Sequence, residues 1–344
     1  MKHENEYQQH IHVFRGVAII FIVFAHTIPS LDWTDWPLTG KLIDAIANQS
    51  SIFFFFIAGY LFQHLSARFS FPKYLNQKLK TVILPYLLLS IPALFVFTVL
   101  TQRTGMWPWF YDLEIWQQVA LFMLTGKHLA PLWFVPTIAL FYLIAPVLIW
   151  MDRKLPQGYW LIIPLLVLST YLGRDGPYGP IDKAIYLFPV YLMGMGFSHY
   201  KQQAMSLVMR WWPVLVLIAV VSAAGVVFEW PSPPYWHMPM KAALALIITW
   251  QLYRHHQVFG HRLDYIAEVS FGIFFIHAYF ISAIKVATVY VLHGTIYDGR
   301  GGEEIPGNLI TFGLYAGLVI LFTVTAIWLA KRAFGKNSRM FIGA

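Results

Sequence analysis

Arg15-Gly16-Val17-Ala18-Ile19-Ile20-Phe21-Ile22-Val23-Phe24-Ala25-His26 is the stretch on which the reading of this chain turns. Two ionisable residues bracket an apolar run. In a helix, eleven steps of about 100° return to within roughly 20° of the starting face, over a rise of about 16 Å. Arg15 and His26 then share one face, Arg15 at the mouth of a membrane span and His26 deep inside it. Ionisable groups at membrane depth are costly and usually mark a site. A histidine there is suited to moving a proton, as acyl transfer requires. On these residues alone a plainer reading weighs about as much. Arg15 would be a snorkelling anchor and His26 would be satisfied by a neighbouring helix.

The composition fits a membrane setting. Of 344 residues, 58% are hydrophobic, 18% aromatic and only 12% charged. A soluble globular protein carries about twice that charged fraction. The fold class expected is all-α, a polytopic membrane protein. The net charge of +8 does not point to nucleic acid, because the basic residues sit in short loops between apolar spans. The absence of cysteine excludes disulfides, thiolate zinc ligands and a thioester-forming nucleophile. No metal site is expected. The first apolar segment is interrupted by His26 and no small-x-small site follows, so it reads as a retained helix and not a signal peptide.

Length and apolarity give about ten spans, near 11–30, 43–64, 80–101, 131–151, 159–173, 184–199, 211–229, 239–253, 267–292 and 308–331. Ile115–Leu124 is too short to cross and reads as an interfacial or re-entrant helix. With both termini in the cytoplasm, sixteen Lys/Arg fall inside and eight outside, alternating loop by loop. Residues 1–344 read as one membrane-embedded domain with no appended soluble domain. The fourteen Trp divide eight to six between the two sides, as two aromatic belts would.

Further clusters follow along the chain. Phe53-Phe54-Phe55-Phe56-Ile57-Ala58-Gly59-Tyr60-Leu61 contains a small-residue pair that lets another backbone approach closely, which favours helix packing. The basic loop from Arg68 to Lys80 leads into Thr81-Val82-Ile83-Leu84-Pro85-Tyr86. Lys73, Lys78 and Lys80 could pair with a polyphosphate, although on these residues alone positive-inside topology and anionic lipid are the favoured account. His128-Leu129-Ala130-Pro131-Leu132-Trp133-Phe134-Val135-Pro136 begins a span, with Trp133 either a pocket wall or part of a belt. In Glu268-Val269-Ser270-Phe271-Gly272-Ile273-Phe274-Phe275-Ile276-His277, Ser270 and His277 share a face but lie about 10 Å apart, too far for a direct dyad.

In order, these clusters resemble the acyltransferase-3 family of integral membrane acyltransferases. The basic residue, ten residues and histidine of its first helix are similar to Arg15 and His26. Its aromatic run ending in Ser-Gly-Tyr/Phe resembles the segment ending Ala58-Gly59-Tyr60, with alanine in place of serine. The loop before its Ile/Leu-x-Pro-Tyr segment resembles Lys78-Leu79-Lys80 to Pro85-Tyr86, with lysines where arginines are usual. Its Leu-Trp-Phe-Leu resembles Leu132-Trp133-Phe134-Val135, and its Ser-x-x-Ile-x-x-x-His resembles Ser270 to His277.

The resemblance implies transfer of an acyl group, often acetyl, from cytoplasmic acyl-coenzyme A to a hydroxyl of a carbohydrate or lipid-linked glycan. Acyl-coenzyme A is a co-substrate and no permanent cofactor is expected. Partners are the glycan or glycolipid acceptor and membrane lipids, with no nucleic acid, and the expected location is a bacterial inner membrane. Arg15, with Lys78 and Lys80, would hold donor phosphates. His26 would be the general base on the acceptor hydroxyl or would take the acyl group transiently, with Ser270, His277 and Tyr60 as candidates around the reacting centre. The alternative is a multi-pass transporter or flippase of a sugar or lipid-linked substrate. Against proton coupling, the sixteen acids all fall in loops or near span ends.

Overall fold

A computed structural model describes residues 8–232, 235–294 and 305–344, and within these all side chains but those of 256–262 and 336. Lys2 and Arg300 of the orientation count lie outside the described residues. The helices are α1 (Gln9–Thr27), α2 (Pro37–Ala47), α3 (Ser51–His64), α4 (Phe71–Lys78), α5 (Leu84–Phe95), α6 (Ile115–Thr125), α7 (Phe134–Leu143), α8 (Ala145–Lys154), α9 (Ile162–Leu172), α10 (Pro180–His199), α11 (Lys201–Val227), α12 (His237–Glu268), α13 (Ser270–His293), α14 (Leu309–Phe334) and α15 (Ser338–Ile342). Two short strands, β1 (Leu31–Asp32) and β2 (Ile305–Pro306), pair in parallel.

Among the described residues six helical stretches are long and apolar enough to cross a membrane: Gln9–Ser30, Pro37–His64, Phe71–Leu100, Lys201–Val227, Ser270–His293 and Leu309–Phe334. Two bent pairs bring the number to eight. The expected spans 184–199 and 239–253 coincide with α10 and α12, which stand outside that count. Large apolar side chains such as Leu207, Leu217, Val220, Leu314 and Leu321 are exposed along α11 and α14. So much exposed apolar surface suits hydrocarbon as the surrounding solvent and not water.

The expected span 131–151 is not one helix. The chain breaks after Leu143, and Pro146 lies in the first turn of α8. A proline has no N–H for the preceding turn and its ring clashes there, so the ladder restarts. Ala130–Leu143 pairs instead with α6 at a 70° bend, and α8 pairs with Pro156–Leu172 at 110°. The short helix expected at Ile115–Leu124 is α6, opened by a Glu114/Gln117 capping box and closed by Gly126 in the left-handed conformation. The span 43–64 falls within the single crossing stretch Pro37–His64, whose helical ladder is interrupted at Asn48–Ser50, where Gln49 holds φ at 55°.

The chain forms two compact units. One comprises residues up to 25, 41–71 and 143–270. Its centre is the crossing of α3 and α10, where the backbones touch. A Cβ on Gly59 would lie 2.0 Å from the Tyr191 carbonyl oxygen, and one on Gly194 would lie 2.0 Å from that of Phe56. Buried Phe53, Phe56, Tyr60, Tyr191 and Phe197 fill the space around it. Lys241, counted from sequence among the outer cations, is fully buried here. Its ammonium donates to the carbonyl of Ile46 at the end of α2 and lies 5.3 Å from the Phe53 ring centroid. Cations favour helix C-termini, and this one secures the break between α2 and α3.

The other unit comprises residues 26–40, 72–142 and 271–344. The Tyr279 hydroxyl donates to the Leu89 carbonyl, and that of Tyr315 donates to Ile281 at 2.6 Å. These bonds tie α13 to α5 and to α14. His128 is buried, with Nδ1 3.0 Å from the Phe122 carbonyl and Nε2 2.7 Å from Ser90 Oγ. Both ring nitrogens are satisfied, so this histidine anchors its loop against α5.

Candidate active site

His26 lies in the last turn of α1 and is partly exposed. His277 lies in α13 and is fully buried. The two imidazoles face each other with centroids 5.5 Å apart and planes tilted by 42°. Nδ1 of His277 is 2.7 Å from the Ile273 carbonyl, one turn back on its own helix. A carbonyl only accepts, so Nδ1 carries the proton and Nε2 of the neutral ring presents a lone pair. That Nε2 is buried and has no hydrogen-bond partner among the described residues. A buried acceptor without a donor costs about 1–3 kcal/mol. Such a group beside a second imidazole marks a candidate for chemistry.

α1 is one uninterrupted helix, so the eleven-residue spacing of Arg15 and His26 has its expected consequence. Arg15 Nε donates to the Ala267 carbonyl at 3.0 Å, and a terminal nitrogen lies 3.4 Å from His12 Nδ1. Ala267 sits in the last turn of α12, where carbonyls lack helical donors. The Ser270 hydroxyl donates to the same carbonyl at 2.9 Å. Ser270 therefore closes the junction of α12 and α13, with its proton already committed.

The other expected residues are held differently. Tyr60 is fully buried, and its hydroxyl donates to Gln8 Oε1 at 3.0 Å. Lys78 is held between two rings, 5.4 Å from the Tyr74 centroid and 5.3 Å from that of Tyr142. Lys80 is exposed in the wide turn Leu79–Ile83 that leads into α5.

The sequence reading did not anticipate a buried carboxylate in the first unit. Asp152, near the end of α8, accepts at one oxygen from the Tyr159 hydroxyl (2.6 Å) and from His199 Nδ1 (2.7 Å). Only the position of His199 at a helix end hinted at it. Removing this acceptor leaves a buried hydroxyl and an imidazole N–H without a partner. Asp152→Ala is expected to destabilise the fold by about 3 kcal/mol, read as a lowered Tm in detergent, with Asp152→Asn losing less. An unchanged Tm in both would refute the network.

Residues 9–332 match the family described as acyltransferase domain, Acyl_transf_3, which is nearly the whole chain. The fold and the match define an integral membrane acyltransferase. The chain belongs to the acyltransferase-3 family, as the ordered motifs implied. No curated protein and no solved structure matches it.

Proposed function

We propose that the protein moves an acyl group, acetyl by family resemblance, from cytoplasmic acyl-coenzyme A to a hydroxyl of a surface carbohydrate or lipid-linked glycan. The observation that carries the reading is the His26–His277 pair. His26 takes the proton of the acceptor hydroxyl as its oxygen bonds to the thioester carbonyl. The carbon–sulfur bond then breaks, and the same proton passes to the leaving thiolate. His277, with its lone pair at Nε2, orients the His26 ring and offsets the charge that forms there. Both termini lie in the cytoplasm, and the membrane is a bacterial inner membrane.

Arg15 holds donor phosphates about 16 Å along α1 from His26, a span that suits an extended carrier arm. Arg15→Ala should raise KM for acyl-coenzyme A about tenfold or more and leave kcat within a few-fold. A fall in kcat with KM unchanged would remove Arg15 from donor binding.

The reading is tested with purified protein in liposomes given acyl-coenzyme A and a glycan fraction, following coenzyme A release. Release that depends on the acceptor supports it. Glycan flux without release would favour a transporter.

A further inference from the structure

Lys201, at the first turn of α11, reaches back to the start of α1. Its ammonium donates to Gln8 Oε1 at 3.1 Å, the oxygen that also accepts from Tyr60. It sits 5.2 Å from the centroid of the Tyr253 ring. His10 packs edge-on against both Tyr60 (5.9 Å) and Tyr253 (5.3 Å), which fixes the Tyr253 ring beside the ammonium. Gln8 belongs to the helix geometrically, because its carbonyl accepts from the amides of Ile11 and His12. Gln8 and Arg15 are seven residues apart, which returns to within roughly 20° of the same face after about 10 Å. Gln8, Arg15 and His26 thus form one line on α1, and each is partly exposed, as is Lys201.

Lys201, bonded to Gln8 at the start of α1, and Arg15, two turns further on, stand along the line that leads to His26, an order that suits a ligand with two separate anionic groups and a long uncharged arm. We propose that Lys201 binds the ribose 3′-phosphate of the donor while Arg15 holds its pyrophosphate, the arm running on towards His26. This rests on the acyl-coenzyme A reading above and adds to it a residue that selects the donor. The order follows from the chemistry of the donor. The pyrophosphate joins the arm directly and takes the cation nearer His26, and the 3′-phosphate lies beyond it.

The experiment compares acetyl-coenzyme A with acetyl-3′-dephospho-coenzyme A as donors for the full chain in liposomes. Variants are Lys201→Met, which keeps the apolar stem, Lys201→Gln, and Lys201→Arg. The wild type is expected to show a KM about tenfold lower for the phosphorylated donor. In Lys201→Met that ratio falls to about one with kcat within twofold, and Lys201→Arg restores most of it. Equal KM for the two donors in the wild type overturns the proposal, and so does an unchanged ratio in the neutral variants. If neither neutral variant folds, the wild-type ratio together with that of Lys201→Arg decides. No turnover of either donor by the wild type removes the acyl-coenzyme A reading itself, a different failure from turnover without discrimination.

Discussion

His26→Ala should release coenzyme A from acyl-coenzyme A about 10²–10⁴ times more slowly than wild type, with donor binding largely kept. An alcohol attacks a thioester well only as its proton leaves, and in the proposed mechanism the His26 imidazole takes that proton. His277 cannot substitute while its Nδ1 is bound to Ile273 and its ring is fully buried. His26 is the partly exposed member of the pair, at the end of α1. The measurement is single-turnover release in liposomes beside a titration of coenzyme A. Full activity in His26→Ala would sink the mechanism. Loss of binding together with turnover would make His26 a structural or donor residue.

Gly59→Ala should fail to give a folded protein, or should lose more than about 3 kcal/mol of stability. The added methyl would sit 2.0 Å from the Tyr191 carbonyl oxygen, and backbone cannot move aside as a flexible side chain can. Gly194 presents the reciprocal contact, 2.0 Å from the Phe56 carbonyl, so Gly194→Ala should behave alike. Separating α3 from α10 to admit a methyl would also loosen the buried Phe56–Phe197 contact at 5.9 Å and the Phe62–Tyr191 contact at 6.0 Å. Ala58→Ser is the control, a small change at a partly exposed neighbour, and should stay within about 1 kcal/mol of wild type. Size-exclusion profiles and Tm in detergent read all three. Normal folding of Gly59→Ala would show that the two helices do not cross in backbone contact.

Much of this protein is written locally. Runs such as Gly16–Ala25 and Ser270–His277 are predominantly apolar, and in an apolar surrounding a helix pairs every backbone N–H and C=O within the segment. The spacing of Arg15 and His26 set them on one face because helical geometry fixes it. Gly59 was legible as a packing residue, since only glycine permits backbone contact. The breaks were harder to read. Pro146 cut the expected span 131–151, a boundary that apolarity alone hides, because leucine-rich sequence stays apolar through a kink.

Long-range partners lay beyond the sequence. His277 was one imidazole on an apolar helix until the fold placed the His26 ring 5.5 Å away and left its Nε2 without a hydrogen-bond partner among the described residues. Ser270, a candidate for chemistry by motif, proved to hold the α12–α13 junction through Ala267. Lys201 meets Gln8 across 193 residues, and His199 meets Asp152 across 47. The sequence by itself determined the membrane class, the all-α character and the register of groups along a continuous helix, because these follow from composition and from a period of about 3.6 residues. Only the tertiary structure decided which groups on different helices meet. That depends on crossings such as Gly59 with Gly194, where packing of whole surfaces chooses the neighbour and no local pattern encodes it.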